Sequence, residues 1–231
     1  MSIPNTPPKS GGYIPRDRNW QPDALTPPYK TSIKRSPQSA LLSFPSTLSE
    51  ETSPVFGHHM LGDLDNDLIH NYAQAGESAI GPRIIVHGRV LDETGRGVPG
   101  ALLEFWQANA GGRYRHKKES YLAPLDPNFG GCGRTITGED GSYEFRTIQP
   151  GPSIFGHGFA QRLITQMYFE GDPHIKLCPI VGILKTQAAI DALTAPLDMN
   201  RTVPMDSRAF KFDIVLRGQR QTYFENRKEG L

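Results

Sequence analysis

The sequence predicts a mainly β protein: an antiparallel β-sandwich with long ordered loops and one or two short helices. Three observations carry this. Apolar and polar residues alternate with a period of two over Arg83–Val90, Leu103–Phe105 and Ser142–Thr147, the pattern of strands with one buried face. Glycine-bearing turns separate these runs, DETGRGVP at 92–99 and Asp140-Gly141. The 231 residues include 24 Gly and 20 Pro, which favours many turns over long helices.

In chain order, residues 1–53 form a Pro-rich arm. Its Tyr13, Trp20, Leu25, Tyr29 and Ile33 are apolar anchors, so order is expected from about residue 13, wrapped on a neighbour or on its own domain. Residues 54–231 form the sandwich. DLDNDLIHN (63–71) reads as a turn into a short helix. Its glutamate is missing at the twelfth position, where Gln74 stands, so a calcium loop is disfavoured. Ile84, Val86 and Val90 point inward, with Ile85, His87 and Arg89 on the polar face. Tyr143, Phe145 and Thr147 oppose Ser142, Glu144 and Arg146 in the same way. LITQMYF (163–169) reads as one strand. Thr186 suits the N-cap of a helix from Gln187 to about Thr194, with Ile190, Leu193 and Leu197 on one face. AFKFDIVL (209–216) reads as a closing strand with Phe210, Phe212, Ile214 and Leu216 inward.

Composition narrows the function classes. Apolar residues make up 37 % and charged residues 21 %, with a net charge of +1. A nearly neutral chain without a basic run is a poor nucleic-acid binder. The first residues, MSIPNTPPKS, lack the apolar core of a secretory signal, and no apolar run reaches a span length of about 18 residues. The two cysteines, Cys132 and Cys178, are far apart and outside any Cys-x-x-Cys. They read as free thiols of a cytoplasmic protein.

For chemistry, Tyr114 in GGRYRH stands out. Arginines on both sides would favour its ionised form, although a packed loop tyrosine is the plainer reading. The His58-His59 pair points its rings apart in extended chain. His87, His157 (in a Phe-Gly-His-Gly turn) and His174 show no ligand spacing. No nucleophile elbow or phosphate loop is present.

Five runs nonetheless carry a specific resemblance: RDRNWQP (16–22), YKTSIKRSP (29–37), WQANAGGRYRHKKESYLAPLDPNFGGCGR (106–134), LITQMYFEGDP (163–173) and FDIVLRGQRQTYFEN (212–226). From about Tyr13 to Asn226 the chain resembles the intradiol ring-cleaving dioxygenases, in their β-subunit branch that acts on protocatechuate. The strand pattern also fits the transthyretin-like (prealbumin-like) sandwich group. The resemblance implies a non-haem Fe(III) held by two tyrosines and two histidines, and a homologous α subunit as partner. It implies a catecholic substrate opened by O2 to a carboxymuconate with no external reductant, as a step of aromatic catabolism (the β-ketoadipate pathway). Tyr114 matches the first tyrosine ligand. Tyr29, Gln166 and Ile180 match substrate-pocket positions.

The departure is as informative as the match. Where such proteins continue from Pro-Gly-Pro into their second tyrosine ligand, an arginine and a His-x-His pair, Pro152 here joins Ser153 directly. About 15–20 residues are missing, the length of two short strands and a turn. Three of the four metal ligands go with them. Ten residues from Pro152 to Leu163 span at most about 35 Å, so the chain can still close. Unpaired edges and weaker folding are expected. A metal-free β-sandwich that binds or assembles with an α-type partner is the alternative class, and a segment omitted from the written sequence is a third.

Overall fold

The computed structural model describes residues 61–117, 119, 121–151, 156–159, 164–178, 180–184, 186–216 and 222. Strand β1 (Arg83–Leu91) lies at the centre of the first sheet. Its Ile84, Val86 and Val90 are no more than 2 % exposed. On one edge β4 (Ser142–Ile148) pairs antiparallel, with Val86 opposite Phe145. On the other, β9 (Ser207–Lys211) and β10 (Ile214–Val215) pair parallel, with Val86 opposite Phe210 and Val90 opposite Ile214. The second sheet runs in the order β3-β2-β5-β6. These are Cys132–Ile136 (β3), Leu102–Trp106 (β2), Gly156–Phe159 (β5) and Ile164–Thr165 (β6). A third, two-stranded sheet pairs β7 (Tyr168–Phe169) parallel with β8 (Thr194–Ala195).

The sheets share one core. Phe105 of β2 stacks on Phe145 of β4 at 5.1 Å between ring centres. Phe169 of β7 meets Phe210 of β9 edge-on at 4.9 Å, the offset geometry aromatic quadrupoles favour. The protein is therefore mainly β, with the expected alternation realised in β1 and β4. Helix α1 spans Gln187–Ala192, and the Thr186 side chain accepts the Ala189 N–H as an N-cap should. Two short 3₁₀ turns, Ile175–Leu177 and Val181–Ile183, precede it.

Several expectations are corrected. Residues 63–71 form successive turns instead of a helix. Leu68 N–H donates to the Arg146 carbonyl and Asp67 bridges to Arg146, so the backbone bonds that a helix would use go to β4. LITQMYF is not one strand. Gln166, Met167, Tyr168 and Phe169 are buried in succession, which a flat two-sided ladder cannot accommodate, and the run splits into β6 and β7 in different sheets. His157 lies in strand β5 and not in a turn, because β2 offers it a ladder edge: Glu104 pairs with His157 and Leu102 with Phe159. The arm and Tyr29 lie outside the described residues.

The closing strand breaks at Phe212-Asp213, and its pairing is parallel. Gly88 gives the reason. A Cβ there would stand 2.0 Å from the Phe212 carbonyl oxygen, closer than any side chain tolerates. Phe212 N–H donates to the His87 carbonyl at 2.8 Å. The Tyr143 hydroxyl donates to the Phe212 carbonyl at 2.5 Å, and the Asp213 carboxylate accepts the Arg89 N–H at 2.9 Å. Burial pushes the Tyr143 phenol well above its ordinary range, which keeps this donor protonated.

His87 is buried, not solvent-facing. The β8–β9 connection folds over it, with Asp198 N–H donating to the Ala209 carbonyl and Lys211 N–H to that of Pro196. The Asp198 carboxylate lies 3.1 Å from His87 Nε2, and Arg201 meets Glu144 of β4 at 2.6 Å. Desolvation first, and then Arg201, lower the His87 pKa, against the opposing pull of Asp198 and Glu144.

Two outcomes are expected. Tyr143→Phe should lose about 1–2 kcal/mol in urea denaturation, and Gly88→Ala about 2–4 kcal/mol, because backbone has to move. A base whose pKa is depressed by folding adds stability that is complete above its ordinary value of 6.5 and lost as pH falls through the folded value. The urea midpoint should therefore fall from pH 7 to pH 5, and less so in His87→Gln.

Candidate functional site

The loop from Gln107 to Gly131 leaves β2 and returns as β3, and polar side chains hold its shape. Gln107, 1 % exposed, donates from Nε2 to the Ile148 carbonyl and accepts from Thr147 Oγ1, both near 3 Å. Asn109 Oδ1 accepts the N–H groups of Gly111 and Arg113, and its Nδ2 donates to the Pro124 carbonyl. Gly151 N–H closes on the Asn109 carbonyl at 3.0 Å. A Cβ on Gly151 would meet the Gly112 nitrogen at 2.3 Å, so the chain leaving β4 passes directly against this loop.

That scaffold buries Tyr114, 5 % exposed, against Trp106 at 4.4 Å between ring centres. The flanking arginines hydrogen-bond to carbonyls of the loop. Arg113 donates to the Ala123 carbonyl at 2.9 Å. Arg115 donates to the carbonyls of Phe129 and Asp126 and covers the Tyr72 ring. Both guanidinium groups brace the loop, whose carbonyls a buried turn has to satisfy.

Tyr168 stands in the second half of the site. Its hydroxyl donates to Gln166 Oε1 at 2.7 Å and lies 3.4 Å from Cys178 Sγ. Burial, then the Cys178 thiol and the Tyr114 phenol, push the Tyr168 pKa far above the ordinary phenol range. Gln166 is 8 % exposed. Ile180 is half-buried and caps the 3₁₀ turn Val181–Ile183, two residues beyond Cys178. The Gly182 N–H donates to the Cys178 carbonyl, which holds this turn in place.

Gln166 thus meets Tyr168, and Ile180 follows on the turn beyond Cys178. Sequence reading passed over Tyr168 and treated Cys178 only as a free thiol. The available signal was spacing: an aromatic hydroxyl two residues after Gln166 can share its side of an extended chain. Both cysteines are free, Cys132 exposed and Cys178 half-buried. Although Cys132 is exposed, desolvation at its sulfur by the surrounding chain raises the thiol pKa, with Glu104 adding to it.

These groups do not fit a ferric centre with two phenolates and two imidazoles. Of the two phenols, Tyr168 is held in its neutral, donating form. Three of the described imidazoles pair with carboxylates elsewhere: His70 with Asp67, His87 with Asp198 and His174 with Asp172. His116 is exposed. Among the described residues no three His, Cys, Asp or Glu side chains stand together to hold a metal ion. Among them too, no helix is long and apolar enough to cross a membrane.

Comparison with known proteins adds the following. The family model described as Dioxygenase matches in two segments, residues 51–153 and 153–218. The model described as Protocatechuate 3,4-dioxygenase beta subunit N terminal matches residues 14–47. The protocatechuate 3,4-dioxygenase beta chain of Burkholderia cepacia is 42 % identical over 228 aligned positions, covering 91 % of this chain and 96 % of that one. Since 91 % of 231 residues is about 210, about 18 aligned positions face a gap in this chain. The protocatechuate 3,4-dioxygenase alpha chain of Pseudomonas putida is 29 % identical, covering 65 % of this chain and 79 % of that one. Hydroxyquinol 1,2-dioxygenase of Rhizobium sp. (strain MTP-10005) is 40 % identical, covering 47 % and 45 %.

Tyr168→Phe strips the Gln166 carboxamide of its buried donor and should cost about 1–3 kcal/mol. Gln166→Leu combined with Tyr168→Phe should cost less than the two single changes summed, which a double-mutant cycle by urea denaturation would measure.

Proposed function

The chain belongs to the intradiol ring-cleaving dioxygenase family, and from that premise we propose that it serves as the β-type subunit of a protocatechuate 3,4-dioxygenase assembly. The observation that carries this is the 42 % identity to a beta chain over almost the full length of both proteins. The match of the beta-subunit N-terminal model to residues 14–47 adds to it. The reaction is oxidative ring opening of a catechol bearing a carboxylate. Both atoms of O2 enter the product, 3-carboxy-cis,cis-muconate, and the bond between the two hydroxylated carbons breaks.

An α-type chain is the partner. Its supporting observation is that alpha chains are themselves relatives of this sequence, so two homologous subunits can pack as a pseudo-symmetric pair. The fold of the 54–231 unit is a transthyretin-like sandwich, a reading supported by the face-to-face contact of Phe105 and Phe145 across the two larger sheets. The Pro-rich arm, residues 1–53, docks on the neighbour through Tyr13, Trp20, Leu25 and Ile33.

Ferric iron is the family's cofactor, and the donors described above do not make a place for it. What this chain brings is therefore what its own residues do. Tyr114 offers a buried phenol beside Trp106. Gln166, Ile180 and Tyr29 line the pocket in which the aromatic ring lies. The Gln166 carboxamide, oriented by Tyr168, can hydrogen-bond a ring hydroxyl or the carboxylate, while Ile180 packs on the ring face. Two free thiols suit a reducing compartment such as the cytoplasm.

Co-expressed with an α-type chain, this protein should elute as a hetero-oligomer in size exclusion. Deletion of residues 1–40 should weaken that association by about tenfold or more. Failure of the full-length chain to associate overturns the subunit reading. A version carrying the relative's segment between Pro152 and Ser153 should consume one O2 per protocatechuate at an oxygen electrode.

A further inference from the structure

Both edges of β2 are paired in the second sheet. One is filled by β3, from Leu102 opposite Ile136 to Trp106 opposite Cys132. The other pairs with β5 along its first three residues, through Leu102–Phe159, Leu103–Gly158 and Glu104–His157. β6 then pairs on β5 through Gly156–Thr165 and His157–Ile164. Only residues 152–155 lie between Gly151 and β5, and only 160–163 between β5 and β6. Connections of four residues are of ordinary hairpin length. The edge expected to be left open is paired over its first three residues, Leu102 to Glu104, by residues that follow the junction, without any further segment.

The polar groups around Tyr168 are equally self-contained. Its hydroxyl donates to Gln166 Oε1 at 2.7 Å and lies 3.4 Å from Cys178 Sγ. A carboxamide, a phenol and a thiol satisfy one another in a buried setting. A trivalent cation placed there would need several anions to offset its lost hydration. Preorganised ligand sets give metal affinity because their donors already stand together. Here the donors that stand together are bonded to each other.

We infer that this chain is a metal-independent member of its family: the strand pairing beside β2 forms without the lost segment, and the polar groups that do stand together, Tyr168, Gln166 and Cys178, bond to one another in place of holding a ferric ion. Such a subunit assembles and shapes a pocket, and the iron chemistry of the assembly resides in whichever chain holds a full ligand set. The inference rests on the family reading above only for the expectation of iron. Association with the α-type chain tests that reading separately.

The experiment uses the full-length chain, its intact mass first matched to 25.6 kDa so that no segment is hidden. The protein is equilibrated with ferrous iron in air and desalted. Bound iron is then measured by elemental analysis, the tyrosinate-to-iron charge-transfer band by visible absorption, and the melting temperature with and without EDTA. The expected result is a cooperative melt moved by no more than about 1 °C by EDTA, iron at about 0.1 per chain or less, and no visible band. About one iron per chain, with a band that Tyr114→Phe abolishes, overturns the inference. So does a chain that melts cooperatively only when iron is present. A chain that melts cooperatively under neither condition overturns the strand pairing on which the inference stands. A mass greater by the weight of the missing segment overturns its premise.

Discussion

The close approach of Phe212 to Gly88 is the contact on which the rest of the architecture depends. β1 has to pair with two different strands along one edge, β9 beside its first half and β10 beside its last residues. The switch requires the partner chain to step over β1, and it does so where β1 has no side chain. The carbonyl exposed by the step is taken by the Tyr143 hydroxyl from β4, and the next side chain, Asp213, takes the Arg89 N–H. Three strands are thereby fixed at one point, with each broken ladder bond replaced. The β8–β9 connection, which covers His87, and β7, which carries Tyr168, inherit their positions from this junction through Ala209 and Phe210.

Much of this was legible in the residues, and the failures have physical causes. β1 and β4 announce themselves because each has one wet and one dry side. α1 does so through Thr186. β3 was silent because CGRTI is polar and glycine-containing; its Gly133 is required by contact with Leu68, which no local pattern encodes. Parallel pairing of β1 with β9 is a long-range event, and period-two alternation is indifferent to strand direction. His87 was assigned to solvent on correct alternation, yet the β8–β9 connection covers that side. At the site, Tyr114 was visible as a residue in an unusual setting, whereas the bonds by which its two arginines brace loop carbonyls were not. Gln166 and Ile180 came from the resemblance and not from spacing, and the phenol that bonds Gln166, Tyr168, was hidden in an apolar run.

The junction at Pro152-Ser153 leaves a mark in both comparison and structure. The family model matches on either side of residue 153, and β5 begins three residues beyond it in the ladder beside β2. A chain can thus match an enzyme family over most of its length while the strand beside β2 is built from residues that follow the junction. Sequence identity reports ancestry and fold, whereas a metal centre depends on a few donors at fixed distances. The same reasoning explains why the loop bearing Tyr114 persists: Gln107, Asn109, Arg113 and Arg115 hold it for structural reasons, whatever the phenol binds.

The parallel edge of β1 has a consequence for how the protein is made. Asp213 reaches Arg89 from 124 residues further along the chain. At about 5–20 residues per second, the ribosome needs about 6–25 s to supply that partner. Throughout this interval the central strand of the first sheet, with Ile84 and Val86 buried in the core, has an unsatisfied edge. Non-local pairing of this kind is slow to form and open to intermolecular strand addition. The yield of folded protein in a cell is therefore governed by synthesis rate, growth temperature and chaperone supply as much as by the stability of the finished fold.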